Sequence, residues 1–147
     1  MDEREAYIAL NMMEKVGPVG VRTLAANLGS VSAIFSADPE ALRRADGIGK
    51  EAVSAILSQR DTVEWRGEIE KAGKTGIRLL TPIDEEYPKP LLEIHDPPLA
   101  LYVRGSLASR DKHAIAIVGT RRPTHYGSDC ASTLAQQLAQ AGFTVVS

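Results

Sequence analysis

At 147 residues and 44% hydrophobic content, the chain can bury a core and is long enough for one ordinary domain or two small ones. A formal net charge of -2 and a pI near 5.9 exclude a global positive field, so any site for a polyanion must be a local patch. The one cysteine, Cys130, excludes a disulfide framework or a zinc site and reads as a small buried apolar residue.

The first ten residues, MDEREAYIAL, are acidic where a signal peptide is basic, and no apolar run approaches the ~18 residues of a membrane span. A cytoplasmic protein with no membrane contact is expected. From Glu5 to about Gly73 the residues favour short helices, punctuated at Gly17-Pro18, Gly29-Ser30, Ser36 to Pro39 and Gly47 to Gly49. Asp38 before Pro39 supplies an N-cap and a first helical residue whose missing N–H does no harm. Ala45 to Ile56, ADGIGKEAVSAI, has the form of a helix-hairpin-helix turn, with Ala52, Val53 and Ile56 facing inward and amides open at the start of the second helix. A weaker copy, VGPVGVRTL, lies upstream with Pro18 where the second copy has Gly47. Proline offers no N–H to a phosphate, so the first hairpin reads as structural. Residues 1–60 carry seven basic side chains (Arg4, Lys15, Arg22, Arg43, Arg44, Lys50, Arg60) against eight acidic ones, a poor balance for a stand-alone duplex binder. The region reads best as a helical packing and interaction module.

Residues 50–72 read as helix with a break near Asp61, and Trp65, Ile69 and Ala72 share one face. Gly73 and Gly76 close it; AGKTG at 72–76 lacks the eight-residue phosphate-loop pattern and reads as a helix C-cap. Ile77 to Leu80 reads as a strand. Thr81 to Pro98, with prolines at 82, 88, 90, 97 and 98, is expected to be an extended wrap. It is acidic, with Asp84, Glu85, Glu86, Glu93 and Asp96 against Lys89. After a strand at Leu99 to Val103, charge reverses: Arg104 to His125 carries Arg104, Arg110, Lys112, Arg121 and Arg122 against Asp111.

That basic segment contains IAIVGTRRPTHYG, residues 115–127. Ile115 to Val118 reads as a buried strand, Tyr126 to Ala141 as a helix with Ala131, Leu134, Ala135, Leu138 and Ala141 on one face, and Phe143 to Val146 as a second strand. Strand, loop, helix, strand is the opening βαβ of a doubly wound α/β sheet, whose ligands lie beyond the carboxyl ends of the strands. Gly119, Thr120, Arg121, Arg122 and Thr124 fall at that position. The arginine forks suit phosphate oxygens, Gly119 admits a close backbone, and both threonines add neutral hydrogen bonds. Tyr126 either stacks on a base or packs on the core. His125 reads as solvent-facing, and His95 and His113 lack any partner pattern for metal or general-base work. The sequence stops just past the second strand, so it reads as a fragment of a longer protein.

Three stretches together resemble one family: Asp84 with Tyr87-Pro88, Leu91 and Ile94; Asp96-Pro97-Pro98 with Leu101-Tyr102 and Gly105; and Val118-Gly119-Thr120-Arg121-Arg122 with Thr124, Tyr126 and Gly127. In order and spacing they are similar to the DNA-processing protein A (DprA/Smf) family, from about Leu79 to Ser147, with the helical region following more loosely. The resemblance implies a helical, sterile-alpha-motif-like domain at 1–72 and the N-terminal part of an extended Rossmann-like DNA-binding domain at 73–147. It implies a non-enzymatic recombination mediator without a cofactor or metal. Such a protein binds single-stranded DNA in natural transformation, protects the incoming strand and loads the RecA recombinase, usually as a homodimer. Thr120 stands where many members have serine, which keeps a small hydroxyl.

Two rival readings come from other classes. A Rossmann-type enzyme acting on a free nucleotide would use the same loop, but G-T-R-R-P-T-H-Y-G is not the G-x-G-x-x-G fingerprint and no nucleophile with a paired base is visible. A duplex-binding repair module built on the two hairpins is weakened by Pro18 and by the acidic balance.

Overall fold

The computed structural model describes residues 1–147, the side chains of Ser109 and Arg110 excepted. Helix α1 (Glu3–Met12) starts from a capping box: Asp2 Oδ1 accepts from the Glu5 amide at 2.7 Å, and the Asp2 amide donates to Glu5 Oε2 at 2.9 Å. Its side chains face two ways. Ala6 and Leu10 enter a core with Val21, Leu24, Ile34 and Ile56, while Ile8 and Ala9 enter a second with Trp65, Ala72 and Leu79. One helix is therefore the common wall of both cores.

Helix α2 (Pro18–Leu28) has its proline at the first helical position and closes on Gly29 at φ 92°. After α3 (Ala33–Ser36), Asp38 Oδ1 accepts from the Glu40 amide at 2.7 Å and opens α4 (Pro39–Arg44) as the Asp-Pro pair predicts. Gly47, at φ +81°, carries the chain from α4 into α5 (Lys50–Gln59). A Cβ there would lie 3.3 Å from Thr23 Cγ2, and one on Gly20 would meet Ile48 at 3.5 Å, so the two hairpins pack on each other through their glycines. The break expected near Asp61 is present: α5 ends at Gln59, and α6 (Trp65–Lys74) begins after a turn at 60–64 that the Arg60 guanidinium ties to the Ala37 carbonyl at 2.8 Å. Gly73 lies inside α6; Thr75 is the C-cap and Gly76, at φ 68°, turns the chain away.

Strand β1 (Ile77–Leu80) pairs antiparallel with β2 (Leu101–Arg104), Ile77 opposite Arg104 and Leu80 opposite Leu101. The segment between them departs from the extended wrap expected of it, since it turns at Thr81–Asp84 and forms a short helix, α7 (Lys89–Leu92). Pro90 occupies the second helical position, where its absent N–H breaks no bond. Tyr87 is buried and donates its hydroxyl to the Pro98 carbonyl at 2.8 Å, and Leu99 enters the α1–α2 core. Burying a leucine contributes about 1.5–3 kcal/mol, enough to bind this segment to the helices.

The chain divides into two compact units, Met1–Gly105 and Ser106–Ser147. The packing boundary lies well after residue 72 because Leu79 and Leu99 belong to the helical cores. The second unit holds a 3-10 turn (Ser109–Lys112), β3 (Ala114–Ala116), α8 (His125–Gln140) and β4 (Thr144–Val146). β3 and β4 are parallel, Ala114 opposite Thr144 and Ala116 opposite Val146, which is the βαβ unit read from the sequence. Cys130 is exposed rather than buried, because only the face of α8 bearing Ala131, Ala135 and Leu138 is half covered. No helix among the described residues is long and apolar enough to cross a membrane.

Candidate nucleic-acid interface

The loop 117–124 leaves the carboxyl end of β3 and enters the N-terminus of α8, carrying Gly119, Thr120, Arg121, Arg122 and Thr124 in one exposed segment. The Ile117 amide donates to the Val146 carbonyl at 2.8 Å, extending the ladder to the point where the loop lifts away. Gly119 is exposed and a Cβ on it would meet nothing, so packing within the chain does not require glycine there. Thr120 Oγ1 accepts from the Arg122 amide at 3.3 Å, a bend that sets the two arginines in succession on the loop. Both guanidinium groups are exposed and, among the described residues, neither is in an ion pair.

Thr124 has a role beyond the phosphate hydrogen bond read from the sequence. It is the N-cap of α8, and its Oγ1 accepts from the Gly127 amide at 3.1 Å. The signal was present as a threonine just ahead of a helical periodicity. A hydroxyl that accepts from a backbone amide still has its proton to donate, so Thr120 and Thr124 both retain a bond for a phosphate oxygen. Tyr126, the second residue of α8, is 79% exposed. His125 is exposed, as expected.

Electrostatics within this unit favour the same edge. Asp111, the acid of the basic segment, accepts from the Ala108 amide at 2.6 Å and from Thr144 Oγ1 at 2.9 Å. Those bonds hold it at the amino ends of the parallel strands, away from the arginines at the carboxyl end. The nearest acid along the chain after the loop is Asp129, a turn into α8. Lys112 is exposed, and the side chain of Arg110 lies outside the described residues. In the other unit two acids of the 84–96 segment already have cations: Asp84 pairs with Arg4, and Glu86 with Arg78.

The motifs that carry the family resemblance thus divide by role. Asp84, Tyr87 and Pro98 fasten the segment between β1 and β2, whereas Gly119 to Tyr126 is turned to solvent.

Comparison with known proteins agrees with both halves. Residues 78–147 match the family model described as DNA recombination-mediator protein A, and residues 7–61 that of the SAM-like helix-hairpin-helix tandem. The chain is 34% identical to Protein Smf of Synechocystis sp. over 99% of its own length and 37% of that protein. It is 36% identical to the DNA processing protein DprA of Bacillus subtilis over 49% of the chain and 25% of the relative. A third similarity, 35% over 106 residues, is to a DNA ligase of Kocuria rhizophila, covering 70% of the chain and 13% of the ligase. The chain therefore spans well under half the length of the curated relatives it matches. With a helix-hairpin-helix tandem joined to a recombination-mediator segment, and 34% identity to Protein Smf along nearly the whole chain, this protein belongs to the DprA/Smf family.

Proposed function

We propose that the protein is a single-stranded DNA-binding recombination mediator of natural transformation, which protects incoming strands and loads the RecA recombinase on them. It does so as a homodimer, in the cytoplasm, without catalysing a reaction. The observation that carries this reading is the exposed pair Arg121 and Arg122 at the carboxyl end of β3, flanked by two threonine hydroxyls and Tyr126. Phosphate contacts carry no sequence information, which suits a protein that must coat any strand it meets. Tyr126 adds a sequence-tolerant stacking face. A division into domains at 1–72 and 73–147 is supported by the family matches at 7–61 and 78–147, although 73–105 packs with the helices.

Substituting Arg121 in the full-length protein tests the reading. Arg121→Ala should keep its melting temperature, lose affinity about equally for homopolymeric single strands of different base, and flatten the log–log salt slope by roughly 0.7. Lost stability with unchanged binding by the folded fraction would instead make the arginines fasteners of the acidic 84–96 segment. A second reading, duplex binding through the hairpins, is favoured by the similarity to a DNA ligase and by the helix-hairpin-helix match. Tight duplex binding by residues 1–72 alone at physiological salt would support it at the expense of the first.

A further inference from the structure

Helices α4 and α5 leave between them an open cleft of about 530 Å³. Its floor is apolar: Val53 is buried, and Ile48 and Leu57 are half-buried against the helical core, which fixes them in place. Its rim is Arg43 from α4 and Lys50 and Ser54 from α5, with no carboxylate among the lining residues. Lys50, Ser54 and Leu57 recur at i, i+4 and i+7, so one face of α5 presents a cation, a small residue and an apolar side chain in line. Arg43 is engaged by Glu40 at 2.6 Å, whereas Lys50, among the described residues, is in no ion pair.

A nucleic-acid backbone has no side chain to bury on the apolar floor of Ile48, Val53 and Leu57. An acidic peptide carrying an aliphatic or aromatic side chain uses both features. We propose that the α4–α5 cleft docks an acidic segment of a partner protein, seating one apolar side chain on Ile48, Val53 and Leu57 and a carboxylate beside Lys50. Narrow Ser54 leaves the entrance open. The apolar anchor supplies the affinity and Lys50 on the rim selects the charge of the segment.

The test uses the 147-residue chain and three fluorescein-labelled octapeptides: alternating aspartate and leucine, all aspartate, and alternating lysine and leucine. Anisotropy should show the aspartate–leucine peptide binding at least about tenfold tighter than the other two, and its amide shift changes should fall within residues 48–58. Lys50→Glu and Ser54→Tyr, both at exposed positions, should each weaken that peptide about tenfold with unchanged melting temperature, one by charge and one by filling the entrance. The proposal is overturned if the all-aspartate peptide binds as well, if neither variant changes the affinity, or if none of the peptides binds. It is equally overturned if a DNA duplex shifts residues 47–58 while the peptide does not, because the cleft would then be a nucleic-acid contact.

Discussion

Asp84 gathers more of the fold than any other single carboxylate in the segment between β1 and β2. It accepts from the Thr81 amide at 2.6 Å, from Thr81 Oγ1 at 2.9 Å and from Arg4 Nε at 3.1 Å, while Arg4 Nη2 reaches the Leu79 carbonyl at 2.5 Å. Thr81 is fully buried, so removing the carboxylate strands an amide and a hydroxyl away from water. Asp84→Ala should therefore lower stability by about 2–3 kcal/mol. Arg4→Ala removes a partly exposed partner and should cost only about 1 kcal/mol. Urea titration of both variants checks the ordering; equal costs would mean that Asp84 acts only through its ion pair. Glu3 gives a pH-dependent counterpart. Burial by itself raises its carboxyl, but the amides of Ser32 and Val31, with the Ser32 hydroxyl, outweigh burial and hold it below its ordinary value. A carboxyl lowered on folding binds fewer protons folded than unfolded, so its contribution is complete above the ordinary carboxylate range and is lost as pH falls through the folded value. Glu3→Gln should thus be destabilised by about 1 kcal/mol near neutrality. That gap should close as the solution is acidified, and a pH-independent gap would contradict the linkage.

At the scale of elements, the hairpins pack through their glycines. Gly47→Ala meets both a left-handed backbone and a 3.3 Å approach to Thr23, and should cost about 1–2 kcal/mol by chemical denaturation, against a few tenths for Gly49→Ala, whose φ of -71° suits any residue. These turns were legible in the sequence because Gly-Ile-Gly and Asp-Pro act locally, and β1 was legible to its ends because four residues of mainly apolar type lie between a glycine and a Thr-Pro pair. Helix α7 was not. Five prolines argue for extension unless one sits in a first turn, and only the packing of Tyr87 and Leu99 shows that Pro90 does. Asp84 was visible as a motif residue but not as a tether, since its partner Arg4 lies 80 positions away. Cys130 was misread because the exposed side of α8 depends on what covers the helix, which periodicity within the helix cannot report. The position of the arginine loop between β3 and α8 was legible because a strand running towards a glycine and a helix beginning within a few residues leave no other place for it. The cap on α8 provides a test at this scale. Thr124→Ala should weaken the helix start by about 1 kcal/mol, seen as faster amide exchange at residues 125–128, and should also weaken single-strand binding.

At the scale of the whole chain, burial is unevenly shared. Among the described residues, every buried one lies in Met1–Gly105 and none in Ser106–Ser147. In the second unit Val118 is 89% exposed, Leu134 48%, Phe143 40% and Val146 50%, so one helix on a two-stranded parallel sheet holds together with little apolar burial. Amides open locally with a free energy that follows such burial, and two-stranded sheets are marginal on their own. In the 147-residue chain, hydrogen exchange should therefore be slow in α1, α2 and α5 and much faster in β3, α8 and β4. A ligand that binds only the ordered form of a segment protects that segment in proportion to its saturation. Adding a single-stranded oligonucleotide should then slow exchange in the first turns of α8 and in β3, next to Arg121 and Arg122, and leave α1 unchanged. Protection appearing instead at residues 45–53 would move the DNA contact to the second hairpin. Uniform slowing across both units would mean that binding stabilises the chain as one cooperative body, contrary to the independence expected of two units so differently buried.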